Sequence, residues 1–159
     1  MGNSISLLIM GDPIQKNRPR FARKTMKSKR TGKQIDFVQT YSDQETEEGL
    51  WILTARRQIK SGGVFFRGAV EVIFRFWIKR PAGHFGTGRN AGILKNNAQK
   101  WPAWKQDLDN YEKFALDCLN HCQIWEDDSR VVGIDSKKRY AEIGFAPMTE
   151  IFITEDIQD

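Results

Sequence analysis

The stretch Ala69-Val-Glu-Val-Ile-Phe-Arg-Phe-Trp-Ile-Lys79 is the clearest strand in the chain. Its apolar side chains recur at every second position, at Val70, Val72, Phe74, Phe76 and Ile78. Successive side chains of a β-strand point to opposite faces, so one face of this segment is wholly apolar. We therefore predict a strand over 69–79 that buries this face in a core.

Segments on the N-terminal side of this strand predict one more strand and a helix. The apolar run from Ile5 to Met10, closed by Gly11-Asp12-Pro13, is typical of a buried strand that enters a turn. Ser42 and Glu45 have the spacing of a capping box, which predicts a helix from there to about Lys60.

The C-terminal side predicts a second helix followed by two strands. Apolar residues recur at helical spacing between Leu108 and Cys122, and strands are indicated near 130–140 and 148–154. The order strand, helix, strand, helix, strand, strand favours an α+β fold. We expect one domain over residues 1–159, with a small mixed sheet of about four strands and two main helices on one face.

Positive charge is concentrated in a basic arm, residues 12–42. Nine of the 25 basic residues lie in a stretch of this arm that has no acid, and the remaining 16 basic and 20 acidic residues sum to −4. Arg18-Pro19-Arg20 favours extended backbone, and mobility until nucleic-acid phosphates order the arm is compatible with its composition, but the sequence leaves the conformation of the arm open. The candidate phosphate-binding residues are Lys16, Arg18, Arg20, Arg23, Lys24, Lys27, Lys29, Arg30 and Lys33.

The sequence contains no secretory signal and no apolar run long enough to span a bilayer, so we expect a cytoplasmic protein. Cys118 and Cys122, one helical turn apart, are then best interpreted as reduced core residues. A zinc site that adds His121 is the less favoured alternative, because paired Cys/His knuckles are absent.

Residues 80–106 are rich in Gly, Asn and Lys and predict a long flexible loop. Trp101 and Trp104 lie near its end. Stacking on exposed bases is one interpretation of these rings. We favour packing in the core or at an interface, which is more common for tryptophan.

Acidic residues cluster around the second predicted helix. Two aspartates in an Asp-Leu-Asp sequence point about 200° apart inside a regular helix, so we place Asp107 at the helix start and Asp109 in its first turn. Lys113 follows Asp109 on the same stripe, and Asp127 and Asp128 follow the helix. Only the tertiary fold can bring that last pair back to the helix start.

Two interpretations of this cluster are open. The acids are a helix cap, a surface ion pair and a solvated turn in the structural interpretation. In the functional one they bind Mg²⁺, or Mn²⁺ in its place, because hard cations favour oxygen ligands and offset the repulsion between neighbouring carboxylates. A lysine beside them suits stabilisation of a phosphodiester transition state or orientation of the attacking water.

Several motifs in this order resemble the RusA family of Holliday junction resolvases, particularly its phage-type members. They are Gly11-Asp-Pro-Ile-Gln-Lys-Asn-Arg-Pro-Arg20, Asp107-Leu-Asp-Asn-Tyr-Glu-Lys113, Asp117-Cys-Leu119 and Trp125-Glu-Asp-Asp-Ser-Arg-Val-Val132. The resemblance covers nearly the whole chain except the loop, and both arm and loop are longer here than in the most compact members.

The resemblance implies a homodimeric, Mg²⁺-dependent endonuclease, bacterial or phage-encoded, that resolves four-way DNA junctions by paired nicks. By the same resemblance Asp107, Asp109 and Asp128 match the metal-binding acids, with Asp127 as an alternative ligand, and Lys113 matches the catalytic lysine. Asp117 matches a further acid of open role. The family implies no small-molecule cofactor and no membrane partner. The alternatives are a non-catalytic junction- or RNA-binding module and a nuclease for flaps or other branched nucleic acid.

Overall fold

The structure, a computed structural model, describes residues 2–18, 20–41, 43–63, 65–103 and 106–156. Six strands and two helices form in these ranges. In chain order they are β1 (Ser4–Met10), β2 (Arg20–Lys27), β3 (Gln34–Tyr41), α1 (Glu45–Gly62), β4 (Ala69–Ile78), α2 (Leu108–Cys122), β5 (Val131–Tyr140) and β6 (Met148–Asp156). The α+β prediction is confirmed, and β2 and β3 are an addition to the predicted order.

A mixed four-stranded sheet in the order β1-β6-β4-β5 organises the body of the protein. β6 pairs antiparallel with both β1 and β4, whereas β5 runs parallel to β4. The alternation noted in β4 sets its orientation: Val70, Val72, Phe74, Phe76 and Ile78 are all buried. Antiparallel neighbours can be joined by short turns, but a parallel neighbour requires a crossover, and α2 supplies it.

Both helices pack on this apolar face of the sheet. The rings of Trp51 on α1 and Phe114 on α2 meet edge to face with centroids 6.4 Å apart. The ring of Tyr111 on α2 lies 5.3 Å from that of Phe76 on β4. The stripe predicted on α2 is confirmed, with Phe114 added to its buried residues. The opposite face of the sheet carries exposed apolar side chains such as Leu8 and Phe152.

Residues 20–41 of the basic arm form a hairpin, a conformation that the sequence left open. β2 and β3 pair antiparallel from Arg20 opposite Tyr41 to Lys27 opposite Gln34. Gly32, with φ +63°, takes the left-handed conformation in the turn, and its N–H donates to the Ser28 carbonyl at 2.9 Å. Lysines and arginines dominate residues 20–33 and obscure the strand pattern of β2, whereas β3 contains neither and carries strand-forming residues such as Ile35, Phe37 and Val38.

The start of the first helix differs from the capping box predicted at Ser42 and Glu45. Gln44, and not Ser42, precedes the first turn of α1, and it makes no side-chain cap. Ser42 itself, like Pro19 and Trp104, lies outside the described residues.

Backbone hydrogen bonds occur within the 80–106 loop. The Gly86 N–H donates to the Ile93 carbonyl and the Lys95 N–H to the His84 carbonyl, both at 2.9 Å. Among the helices of the described ranges, none has the length and apolar character needed to cross a membrane.

The central position of β4 generates a prediction about stability. Phe74 is fully buried, so Phe74→Ala should lower the free energy of unfolding by about 3–5 kcal/mol, through lost burial and the cavity that remains. Phe152→Ala, on the open face, is the matched control and should lower it far less. Urea denaturation followed by circular dichroism measures both, and equal losses would contradict the assignment of the core to the helix side.

Candidate active site

Four segments converge at one end of the sheet, where β4 and β5 finish. The Lys79 N–H donates to the Asp12 carboxylate at 2.8 Å, joining the turn after β1 to the end of β4. The Lys16 N–H donates to the Asn110 carbonyl at 2.8 Å, which holds the same turn against the first turn of α2. Lys138 Nζ on β5 donates to the Gln106 carbonyl at 2.6 Å. The start of α2 therefore lies beside the last residues of β5.

Asp107 occupies the N-cap position of α2 with an extended backbone, φ −63° and ψ 141°. This agrees with its predicted place at the helix start. The side chain of Asp107 makes no capping hydrogen bond, and its exposed carboxylate lies beside the positive end of the helix dipole.

Asp109 and Lys113 form an ion pair on the exposed side of α2, with Oδ2 and Nζ 2.8 Å apart. The hydrogen bond from Lys113 lowers the pKa of the Asp109 carboxyl, and the same bond raises the pKa of Lys113. Both groups are thus charged at neutral pH. Asp109 is available as an anionic oxygen donor, and Lys113 is a cation beside it.

Lys16 links the two helices. Its Nζ lies 2.9 Å from Glu48 Oε1 on α1 and 3.1 Å from Asp117 Oδ2 on α2. Partial burial acts to lower the pKa of Lys16, but hydrogen bonds to Glu48 and Asp117 outweigh it and leave the pKa raised. The Lys16 ammonium, predicted to bind phosphate, is thus paired with two carboxylates. Its contact with Asp117 positions the turn after β1 against α2.

Asp127 and Asp128 lie at the other end of α2. The Asp127 carboxylate accepts a hydrogen bond from the Ser129 N–H at 2.9 Å, which lowers the pKa of this acid and caps the 3₁₀ turn Asp128–Arg130. β5 then begins at Val131 and reaches Lys138, beside the start of α2, only near its end. Asp128 is therefore separated from Asp107 by most of a strand.

The length of α2 gives the scale of this separation. Its 15 residues rise about 22 Å at 1.5 Å per residue. Within the described residues of one chain, no three His, Cys, Asp or Glu side chains are grouped so that they could hold a metal ion. One chain brings Asp107, Asp109 and Lys113 together and leaves Asp128 at the opposite end, so the three-acid metal site stays a prediction.

The remaining arm residues follow the hairpin. Arg20, Arg23, Lys24 and Lys27 lie on β2, and Lys29, Arg30 and Lys33 lie in or beside its turn. Arg20 pairs with Asp43 at 3.0 Å, and Asp36 is the single acid between residues 20 and 41. The cations are thus displayed along an exposed ribbon that ends in a strongly positive turn.

Sequence reasoning missed a buried glutamine that positions this region. Gln44 is 3% exposed; its Oε1 accepts the Asn17 N–H at 2.8 Å and its Nε2 donates to the Gln15 carbonyl at 2.7 Å. These bonds fix the chain between β1 and the hairpin against the start of α1. A polar residue beside a predicted cap carries no signal that would distinguish it from a surface glutamine.

Trp101 is 46% exposed, so the expectation that it packs in the core is wrong, and packing at an interface stays a prediction. The guanidinium carbon of Arg139 lies 4.9 Å from the centroid of its ring, and Lys100 Nζ lies 5.3 Å from the same centroid. Arg139 is distant in sequence, so nothing local could have indicated the pairing.

The two cysteines are buried and free, as predicted. Burial raises the pKa of Cys118 to about 12 and that of Cys122 to about 11. Both thiols therefore stay protonated at neutral pH in the protein without metal. His121 is exposed and its ring nitrogen contacts the Asp117 carbonyl, so it does not join them.

The chain is similar in sequence to known proteins. Residues 11–154 match the sequence model of Endodeoxyribonuclease RusA, from the turn after β1 to the last strand. The chain is also 41% identical over 69 residues to the uncharacterized protein YqaN of Bacillus subtilis (strain 168), a match that spans 42% of this chain and 46% of the relative. The family match includes the arm, α2 and the acids on both sides of it, and the chain belongs to the RusA endodeoxyribonuclease family.

Proposed function

We propose that this protein is a metal-dependent endonuclease that resolves four-way DNA junctions by paired nicks. The observation that carries the proposal is the exposed group of Asp107, Asp109 and Lys113 on the first turns of α2, in a chain of the RusA endodeoxyribonuclease family. Two carboxylates beside a cation are suited to phosphodiester hydrolysis. DNA as substrate also favours a bacterial cytoplasm, in the host or a phage-infected cell, as the compartment.

The donor set fits Mg²⁺ or Mn²⁺. The Asp107 carboxylate makes no capping hydrogen bond and is exposed, and the Asp109 carboxylate is held ionised by Lys113. Both offer the hard oxygen ligands that these ions prefer. Asp128 is the third proposed ligand, and Asp127 is less suited because its carboxylate already caps a turn. Mg²⁺ held by these acids would supply positive charge for phosphodiester hydrolysis.

Lys113 acts as a fixed positive charge in this proposal. Its ammonium lies 2.8 Å from the Asp109 carboxylate, a position from which it stabilises negative charge that develops on the phosphate. Its bond to Asp109 keeps the ammonium on the stripe of α2 that carries the acids. A lysine that shares a carboxylate with the metal site is oriented before substrate arrives.

The separation along α2 favours a homodimer with composite sites. A helix of about 22 Å keeps Asp128 from reaching Asp107 within one chain. Two copies related by a two-fold axis, with their α2 helices antiparallel, would bring Asp107 and Asp109 of one subunit to Asp128 of the partner subunit. Such a dimer has two equivalent sites, which matches a substrate in which two strands are cut.

Composite sites predict complementation between inactive variants. Asp107→Asn and Asp128→Asn should each abolish cleavage of a synthetic four-way junction in Mg²⁺. In a heterodimer of the two, one site carries both substitutions and the other carries none. Equal co-expression should therefore restore roughly one quarter of wild-type nicking, because half of the dimers are mixed and each has one intact site.

The control for this experiment is co-expression of Asp107→Asn with Asp109→Asn, which share one half-site and should not restore activity. Nicking is measured on an end-labelled junction, with sedimentation to verify equal dimer content. Restoration in neither mixture, with an active wild type, would assign the whole site to one chain. A wild type that cuts nothing in Mg²⁺ or Mn²⁺ would refute the nuclease itself.

The hairpin is the proposed DNA-binding element. A two-stranded ribbon fits the major groove of B-DNA, and the strands and turn at 20–41 carry seven basic residues against one acid. Contacts of this kind bind phosphates and position the duplex without reading its sequence. Arg20 is held at the base of the ribbon by Asp43, so the turn is the part with the most available charge.

This role predicts a change in salt dependence. Lys29→Ala/Arg30→Ala should reduce the slope of log affinity against log salt by about 1.8, at about 0.9 per phosphate contact. The matched control is Arg57→Ala/Lys60→Ala on the exposed side of α1, which removes the same charge from the body. Fluorescence anisotropy of a labelled junction in EDTA, over several salt concentrations, gives both slopes. Equal reductions would show that the ribbon makes no preferred contact.

A non-catalytic junction- or RNA-binding module is the second candidate, favoured by the absence of a three-acid group within the described part of one chain. Tight junction binding that EDTA leaves unchanged, with no cleavage by the wild type, is its expected behaviour. Comparing the rates at which the protein cleaves duplex, fork, flap and four-way junction distinguishes the resolvase from a nuclease for other branched substrates.

A further inference from the structure

An exposed tryptophan with two neighbouring cations lies near the start of α2. Trp101 has 46% of its surface exposed, and Arg139 and Lys100 place their charged groups 4.9 and 5.3 Å from the ring centroid. Large aromatic side chains are normally buried, because their burial contributes more to stability than that of most residues. Here the ring is held on the surface by cation–π contacts, which suits a ligand better than a core.

The position of this ring ties it to the proposed active site. Arg139 follows Lys138 on β5, and Lys138 Nζ donates to the carbonyl of Gln106, the residue before Asp107. The cations around the tryptophan are thus attached to the same end of the sheet as the first turn of α2. Trp101 also lines an open groove with Gln99, Lys100 and Ala103, so the ring is accessible from solvent.

The charge of the loop identifies the ligand as an anion. Between Glu71 and Asp107 the sequence contains no acidic residue. Six cations occur in the same stretch beyond β4: Lys79, Arg80, Arg89, Lys95, Lys100 and Lys105. A loop that carries six cations and no acid around an accessible indole attracts a polyanion that also has flat π-faces, and nucleic acid has both properties.

We propose that Trp101, oriented by Arg139 and Lys100, is a stacking platform for an unpaired base at the centre of branched DNA. The proposal rests on the proposed function for the identity of the substrate. A base within a duplex has both faces covered by its neighbours, whereas a base at a strand exchange point can expose one. Stacking tolerates any base, so the platform selects the branch and not the sequence. It would fix the backbone next to that base beside Asp107.

The test uses a four-way junction with 2-aminopurine at the branch point, and a second junction with the probe in the middle of one arm. With the dimeric wild-type protein in EDTA, binding should change the fluorescence of the branch-point probe only. Trp101→Ala should abolish that change and weaken junction binding roughly 5- to 100-fold, while Trp101→Phe should keep both within about threefold of wild type. Ile93→Ala, exposed in the same loop, is the matched control and should behave as wild type.

A cleavage assay separates positioning from folding. Trp101→Ala should raise KM for the junction by a factor similar to its loss of binding, with a smaller effect on kcat, and Arg139→Gln should change KM in the same direction. An alanine variant that binds and quenches like wild type overturns the platform. Dissociation of the dimer by Trp101→Ala, with Trp101→Phe intact, assigns the ring to a subunit contact and also overturns it.

Failure of the proposed function gives a different result. A wild type that produces the branch-point signal but cuts nothing in Mg²⁺ or Mn²⁺ refutes the nuclease and supports the platform. A wild type that cuts junctions, with Trp101→Ala equal to it in binding, KM and probe fluorescence, refutes the platform and supports the nuclease.

Discussion

The parallel pairing of β4 with β5 is the constraint on which the rest of the molecule depends. Parallel strands require the chain to return along the whole sheet, and α2 makes that return with its apolar stripe on the core. Its two ends therefore lie at opposite ends of the sheet. Asp107 and Asp109 precede or begin the helix and Asp128 follows it, so one topological choice both stabilises the fold and divides the acids into two groups.

The body of the fold could be predicted because its signals are local. Alternation in β4 and helical spacing in α2 each arise from residues close in sequence, and both are confirmed by burial. The hairpin escaped prediction because cations interrupt the apolar residues of β2, and because the apolar residues of β3, Ile35, Phe37 and Val38, form only a short run whose side chains stay exposed. The start of α1 was misplaced because a serine and a glutamate at capping-box spacing also occur outside helices.

In the candidate site, too, local features could be predicted from the sequence and contacts between distant residues could not. The sequence Asp-Leu-Asp indicates that the first aspartate lies at the helix start, and the backbone of Asp107 agrees. The distance to Asp128 follows from a strand pairing between residues far apart in sequence, which no local pattern reports. The same reason explains Lys16, which is tied to Glu48 and Asp117 on two helices, and Trp101, whose partner Arg139 lies on β5. Residue types indicate chemistry, and only the fold decides which of them meet.

The self-contained pairing of β2 with β3 has a consequence for variation among proteins of this kind. Neither strand shares a ladder with the four-stranded sheet, so paired residues can be gained or lost from the ribbon without a change of register elsewhere. The length of the ribbon can therefore change without altering the stability of the four-stranded sheet and its helices. Insertions and deletions should accumulate in this ribbon, and ribbons of different length should be exchangeable between otherwise similar scaffolds.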